Sequence, residues 1–195
     1  MKHPLISFGL HIALAPIWAT LSITQLIPSL RSRYPVAHRF FGRVFLLISL
    51  SLGVTGFLFL WLDMAFTHQN ETSHWIHPFT LTGISVPLIA AFLVSGALAI
   101  HHARARRFTN HRAWILRHMA IGYSVIVMRW ILALASIAYP LLFGMPSPES
   151  PGIGLVELRK ILFGLAMWAG AVCSVVGVEV YLRVETASQH KIRTA

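Results

Sequence analysis

The chain has 195 residues, 56% of them apolar and 11% charged, with a mean hydropathy of +0.68. Soluble domains carry about a quarter charged residues, so the composition excludes a soluble globular protein and points to an all-α, multi-pass membrane bundle. Sixteen Lys and Arg against six Asp and Glu give a formal charge of +10, but the basic residues fall in short segments between apolar stretches, which argues against a nucleic-acid partner, and the lone Cys173 excludes a disulfide framework.

Crossing a hydrocarbon core takes about 20 apolar residues at 1.5 Å each. The first predicted span, 5–30, continues past the core of a secretory signal, so the small-residue run Ala13-Leu14-Ala15 is expected to lie inside a helix. Ser7, His11, Trp18, Ser22, Gln25 and Ser29 recur at helical spacing and form its polar face. A basic loop with Arg31, Arg33, Arg39 and Arg43 follows, where Pro35 suits a first helical position. The second span, 44–66, continues a face that begins at His38 and runs through Gly42, Phe45, Ser49, Gly53 and Gly56, small enough for close approach of a neighbour or a flat ligand.

An outer segment, 67–78, carries His68, His74 and His77 with Glu71 between them, enough N and O ligands for Cu or Zn. The third span is 79–100. A second basic loop holds Arg104, Arg106, Arg107, Arg112 and Arg117, with Thr109 or Asn110 as the expected N-cap of the next helix. On the fourth span, 115–143, and the turns before it, His111, His118, Gly122, Val125 and Arg129 share one face by steps of 7, 4, 3 and 4. Arg129 is thereby expected inside the membrane with no acid at its depth on the same helix, a functional candidate by default. Pro146, Pro148 and Pro151 exclude regular helix after this span, and the fifth, 161–182, places Glu179 one turn from Arg183 as an expected i,i+4 pair.

Twelve of the 16 basic residues lie in the two basic loops and at the C-terminal end, whereas only Lys2, Arg159 and Lys160 lie on the other side. That bias predicts the N-terminus outside and the C-terminus inside, in a single domain spanning residues 1–195. The two basic loops are alike: His38-Arg39 leads to Arg43 and His111-Arg112 to Arg117, as two parallel repeats of one hairpin would.

The run Leu30-Arg31-Ser32-Arg33-Tyr34-Pro35, then His38-Arg39, Gly42-Arg43, His111-Arg112-Ala113-Trp114-Ile115-Leu116-Arg117 and Arg129, resembles a bacterial inner-membrane family, domain of unknown function 2306. The likeness takes in nearly the whole chain, from His11 to Glu179, and departs where Phe45 and Ile115 stand in places associated with Tyr and Met. It implies a multi-pass protein of a bacterial plasma membrane and carries no activity with it.

Chemistry has to come from the residues. Imidazoles on inward faces suit the axial positions of haem iron, and arginines at the same edge suit haem propionates. The leading expectation is a b-type haem protein that transfers electrons within the membrane, with iron ligands among His38, His111 and His118, and with His11, Arg39, Arg112, Arg117 and Arg129 around the cofactor. Quinone or a redox protein would be its partner. The alternatives are a non-catalytic protein binding anionic lipid, quinone or metal, and an accessory subunit of a larger membrane complex. No Ser-His-acid or His-Glu-x-x-His pattern supports hydrolase or transferase chemistry.

Overall fold

A computed structural model describes residues 3–67, 82–143 and 155–194, and among them there are six helices and no strand. They are α1 (His3–Leu26), α2 (Pro28–Arg33), α3 (Pro35–Thr67), α4 (Thr82–Arg104), α5 (Phe108–Phe143) and α6 (Leu155–Thr194). Five contain apolar runs long enough to cross a membrane, and only between 11% and 22% of each run is buried inside the protein. The outward faces of these helices therefore present apolar side chains that only lipid can cover.

All five expected spans appear, but their ends differ from the hydropathy boundaries. Residues 5–30 do not form one helix: the chain breaks at Ile27, and Pro28 opens the short α2, none of whose residues is buried. α3 begins at Pro35 rather than at 44, α5 at Phe108 rather than at 115, and α6 runs over 155–194 rather than 161–182. Backbone hydrogen bonding carries a helix on into polar residues that a hydropathy window excludes. Thr109 and Asn110 are accordingly inside α5 rather than capping it. The outer segment with His68, Glu71, His74 and His77, and the proline segment 144–154, lie outside the described residues.

The two hairpins share a register. His38 and His111 are each the fourth residue of their helices, and their backbone N–H groups donate to Tyr34 O (3.0 Å) and Arg107 O (2.9 Å). Position 38 maps to 111, 45 to 118 and 22 to 95 by one common shift of 73 residues. Ser22 and Ser95 behave alike: each is buried, and each hydroxyl donates to the carbonyl three residues back, Ala19 or Phe92. This is the geometry expected of parallel repeats.

α1 packs on α3, α3 on α4 and α4 on α5, and α6 lies against the outside of α5. Trp18, Phe45, Leu52, Phe92 and Met119 form the buried centre where α1, α3, α4 and α5 meet. The α6 contact is close because Gly170 lets backbones meet: a Cβ there would stand 2.7 Å from Ser124 O.

Two expectations follow from the fold. Reporter fusions after Arg33, after Asn70 and at Ala195 should read inside, outside and inside; any other pattern overturns the orientation assigned from the basic loops. In the α4–α5 turn, Arg106 adopts φ 57°, a left-handed conformation that costs a non-glycine residue roughly 1 kcal/mol. Arg106→Gly should raise the thermal midpoint in detergent by a few degrees.

Candidate functional site

The polar atoms inside the bundle fall into three layers along its axis. In the middle layer, His118 of α5 is 1% exposed and stacks on Phe92 with ring centroids 4.1 Å apart. Its Nδ1 lies 2.9 Å from Phe92 O, and a carbonyl oxygen can only accept, so Nδ1 carries the hydrogen. In the neutral ring, Nε2 then holds a lone pair and faces the Ser49 hydroxyl at 2.9 Å. The Trp18 indole N–H donates to the same Ser49 oxygen at 2.8 Å. Both ring nitrogens of His118 are thus engaged by protein groups from α3 and α4, and the Ser22 hydroxyl meets Tyr123 on the other side of Trp18 at 2.8 Å.

In the inner layer, His111 lies two turns before His118. Its Nδ1 donates to Ala99 O at 2.9 Å, so Nδ1–H is again fixed by an α4 carbonyl and Nε2 keeps its lone pair. Anchoring one imidazole nitrogen on a backbone carbonyl is how metal-ligating histidines are oriented. His38 and His102 lie within electrostatic reach of His111. The Nδ1 atoms of His38 and His102, and Gln25 Nε2, are buried without a hydrogen-bond partner. Gln25 sits over Gly42, one turn beyond His38, where a Cβ would come within 3.2 Å of the amide oxygen. Buried polar atoms are nearly always partnered, so this end of the bundle has unfilled hydrogen-bonding capacity supplied by α1, α3 and α4.

In the outer layer, the Thr55 hydroxyl donates to Ser51 O (2.7 Å) and accepts from His11 Nδ1 (3.1 Å). His11 is within electrostatic reach of Arg129, but Arg129 itself is exposed. The face that begins at His111 and His118 does not stay covered: Val125 is 37% exposed, and Arg129 is exposed as well. Arg129 is therefore no part of the buried site. Eighteen residues are five whole turns at 3.6 residues per turn, so Arg129 keeps the azimuth of His111, and its exposure reflects what packs beside α5 at that depth rather than helical drift.

The arginines expected around a cofactor divide into two kinds. Arg112 pairs with Glu185 and also donates to Tyr181 OH at 3.1 Å. Arg117 grips Glu179 with Nε at 2.6 Å and a terminal nitrogen at 3.1 Å, and its guanidinium lies 4.9 Å from the Trp114 ring centroid. Two cross-helix ion pairs thus tie α6 to α5, and Glu179 is held by Arg117 rather than by the expected i,i+4 pairing with Arg183. Arg39 is exposed and has no ion pair among the described residues.

Sequence spacing placed His11, His38, His111 and His118 on inward faces, and the structure brings His38 and His111 into one layer. It missed His102, which stands in the last turn of α4, two residues before its end. Among the described residues no three His, Cys, Asp or Glu side chains are grouped closely enough to hold a bare metal ion, whereas haem iron needs only two axial ligands. A family model described as predicted membrane protein (DUF2306) matches residues 8–156. The match takes in α1 to α5 and stops as α6 begins, short of Glu179. No curated protein and no solved structure matches.

Proposed function

The chain belongs to the DUF2306 family of predicted membrane proteins, and for this integral membrane bundle we propose a role as a b-type haem protein that passes electrons within the membrane, with His38 and His111 as the axial ligands. The observation that carries the reading is the inner layer. His111 has Nδ1–H tied to Ala99 O and a free Nε2 lone pair, and His38, at the equivalent place in the other hairpin, has a buried ring nitrogen with no partner.

The donor chemistry fits. Two imidazoles near one depth, on helices that run in the same direction, would be able to hold haem iron. His118 is the weaker candidate, because Ser49 and Phe92 already hold both of its nitrogens. Bound haem would supply reversible one-electron transfer. The chain's own residues would fix ring orientation through Ala99 O, exclude water through the Trp18, Phe45 and Phe92 layer, and offer Arg39 to a propionate. Arg112 and Arg117, neutralised by α6, would act by anchoring that helix. A quinone or a membrane-associated redox protein is the class of partner that would exchange electrons with such a site.

The test is the visible spectrum of the full-length protein purified after expression with adequate haem supply, as isolated and after dithionite. A Soret band with a sharp reduced α band supports the reading. Its absence overturns it and moves the inner histidines to structural or headgroup-binding roles.

A further inference from the structure

Among the described residues, the basic groups at the inner end outnumber the acidic ones that could pair with them. No Asp or Glu precedes Asp63, which lies about 40 Å along α3 from Pro35. Glu179 and Glu185 at the inner end are occupied by Arg117 and Arg112. Arg31, Arg33, Arg39 and Arg43, around the α2–α3 elbow, are all exposed and have no ion pair among the described residues. Among the described residues no acidic side chain at that end is left to balance them.

The elbow also has an apolar floor. A shallow, open groove of about 570 Å³ lies at the start of α3 beside the end of α2, lined by Arg33, Tyr34, Val36, Phe40 and Phe41. Val36 is 70% exposed and Phe40 60%. On α3, Val36, Phe40, Arg43 and Leu47 follow steps of four, three and four, and all are exposed. Arg43 is therefore an unpaired cation within an otherwise apolar outward stripe, a placement that is costly in hydrocarbon unless the guanidinium reaches a phosphate at headgroup level. Arg33 stands at the mouth of the groove with its guanidinium 5.8 Å from the Tyr34 ring centroid.

We propose that the α2–α3 elbow seats one anionic phospholipid of the leaflet facing the basic loops, its phosphate on Arg33 and Arg43 over Val36 and Phe40 and its acyl chain running on along Leu47. Basic residues next to an exposed apolar floor match both halves of such a lipid, and a zwitterionic lipid would leave the surplus charge in place.

Native mass spectrometry of the full-length protein in mild detergent, titrated with phosphatidylglycerol and phosphatidylcholine of equal chain length, tests this. Phosphatidylglycerol should be retained about tenfold better, and Arg33→Gln and Arg43→Gln should each lower its retention about fivefold. Should either variant fail to stay monodisperse, Leu47→Trp replaces it: phosphatidylglycerol brominated on its acyl chain should quench the added fluorescence at lower mole fraction than phosphatidylcholine brominated alike. Equal retention or equal quenching of the two lipids overturns the proposal. So does displacement of the lipid by inorganic phosphate, which would make the elbow a free-anion site, or by an isoprenoid quinone at equal concentration.

Discussion

His38→Ala and His111→Ala, made separately, should each abolish or strongly shift the reduced α band while the protein still inserts in the membrane and remains monodisperse. Under the proposed assignment each would remove one of the two histidines that hold the iron, and neither side chain belongs to the buried aromatic centre, so spectrum and stability should separate. His118→Ala should do the opposite. It leaves Phe92 O and Ser49 in a buried layer without the imidazole that joins them, and it opens a cavity beside Phe45 and Phe92. The loss should be about 2–4 kcal/mol, read as a lower thermal midpoint, with the haem bands of the surviving folded fraction kept. If the parental spectrum persists in both His38→Ala and His111→Ala, the ligand assignment is wrong. If His118→Ala alone removes the bands, the ligand lies in the middle layer, and the Ser49 contact must open to admit it.

The fold was legible where one physical signal dominated. Apolar runs announced five spans because no soluble arrangement covers so much apolar surface, and the inward faces of α1 and α3 were readable because small and polar residues recur at helical spacing. Gln25, Trp18 and Ser22, and Gly42, Phe45, Ser49 and Gly53, all stand on the sides of their helices that face the bundle. The spans' ends were not legible, since hydropathy stops where lipid stops whereas backbone hydrogen bonding continues through His38 and His111. Pairing between distant helices was hidden as well. Glu179 had Arg183 one turn away, and nothing local could show that Arg117, on another helix, would hold it through two hydrogen bonds. Arg129 is a different case: its depth and azimuth are readable from position, but whether a neighbour covers it depends on how α5 packs, and it is exposed. The middle layer was half visible. His118 was singled out as an iron-ligand candidate, but its enclosure by Trp18, Ser49 and Phe92 draws on four helices and could only be seen once they were assembled.

Gly122→Ala should destabilise the protein by about 1–3 kcal/mol, and Gly122→Val by more, because the bundle centre has no room for a Cβ at that position. An added Cβ would collide with the six-membered ring of Trp18, with Cζ2 only 2.7 Å away, and would stand 3.0 Å from Phe92 Cε2. Trp18 cannot yield cheaply. Its indole N–H is bonded to Ser49, its ring stacks on Phe45 with centroids 5.5 Å apart, and Tyr123 closes the other side at 5.4 Å. Moving it would break the hydrogen bond or push Phe45 toward His118, whose ring centroid is 5.6 Å away. Gly177→Ala is the matched comparison: on α6, an added Cβ meets nothing within 4 Å, so the ordinary helix preference for Ala should leave stability unchanged or raised by up to about 1 kcal/mol. Trp18→Phe in the Gly122→Ala background should recover part of the loss by withdrawing the colliding ring, at the cost of the indole bond to Ser49. Thermal unfolding of the four variants in one detergent, followed by circular dichroism, decides the matter. A Gly122→Ala midpoint equal to that of Gly177→Ala would mean that α1 and α5 do not pack through Trp18 as described.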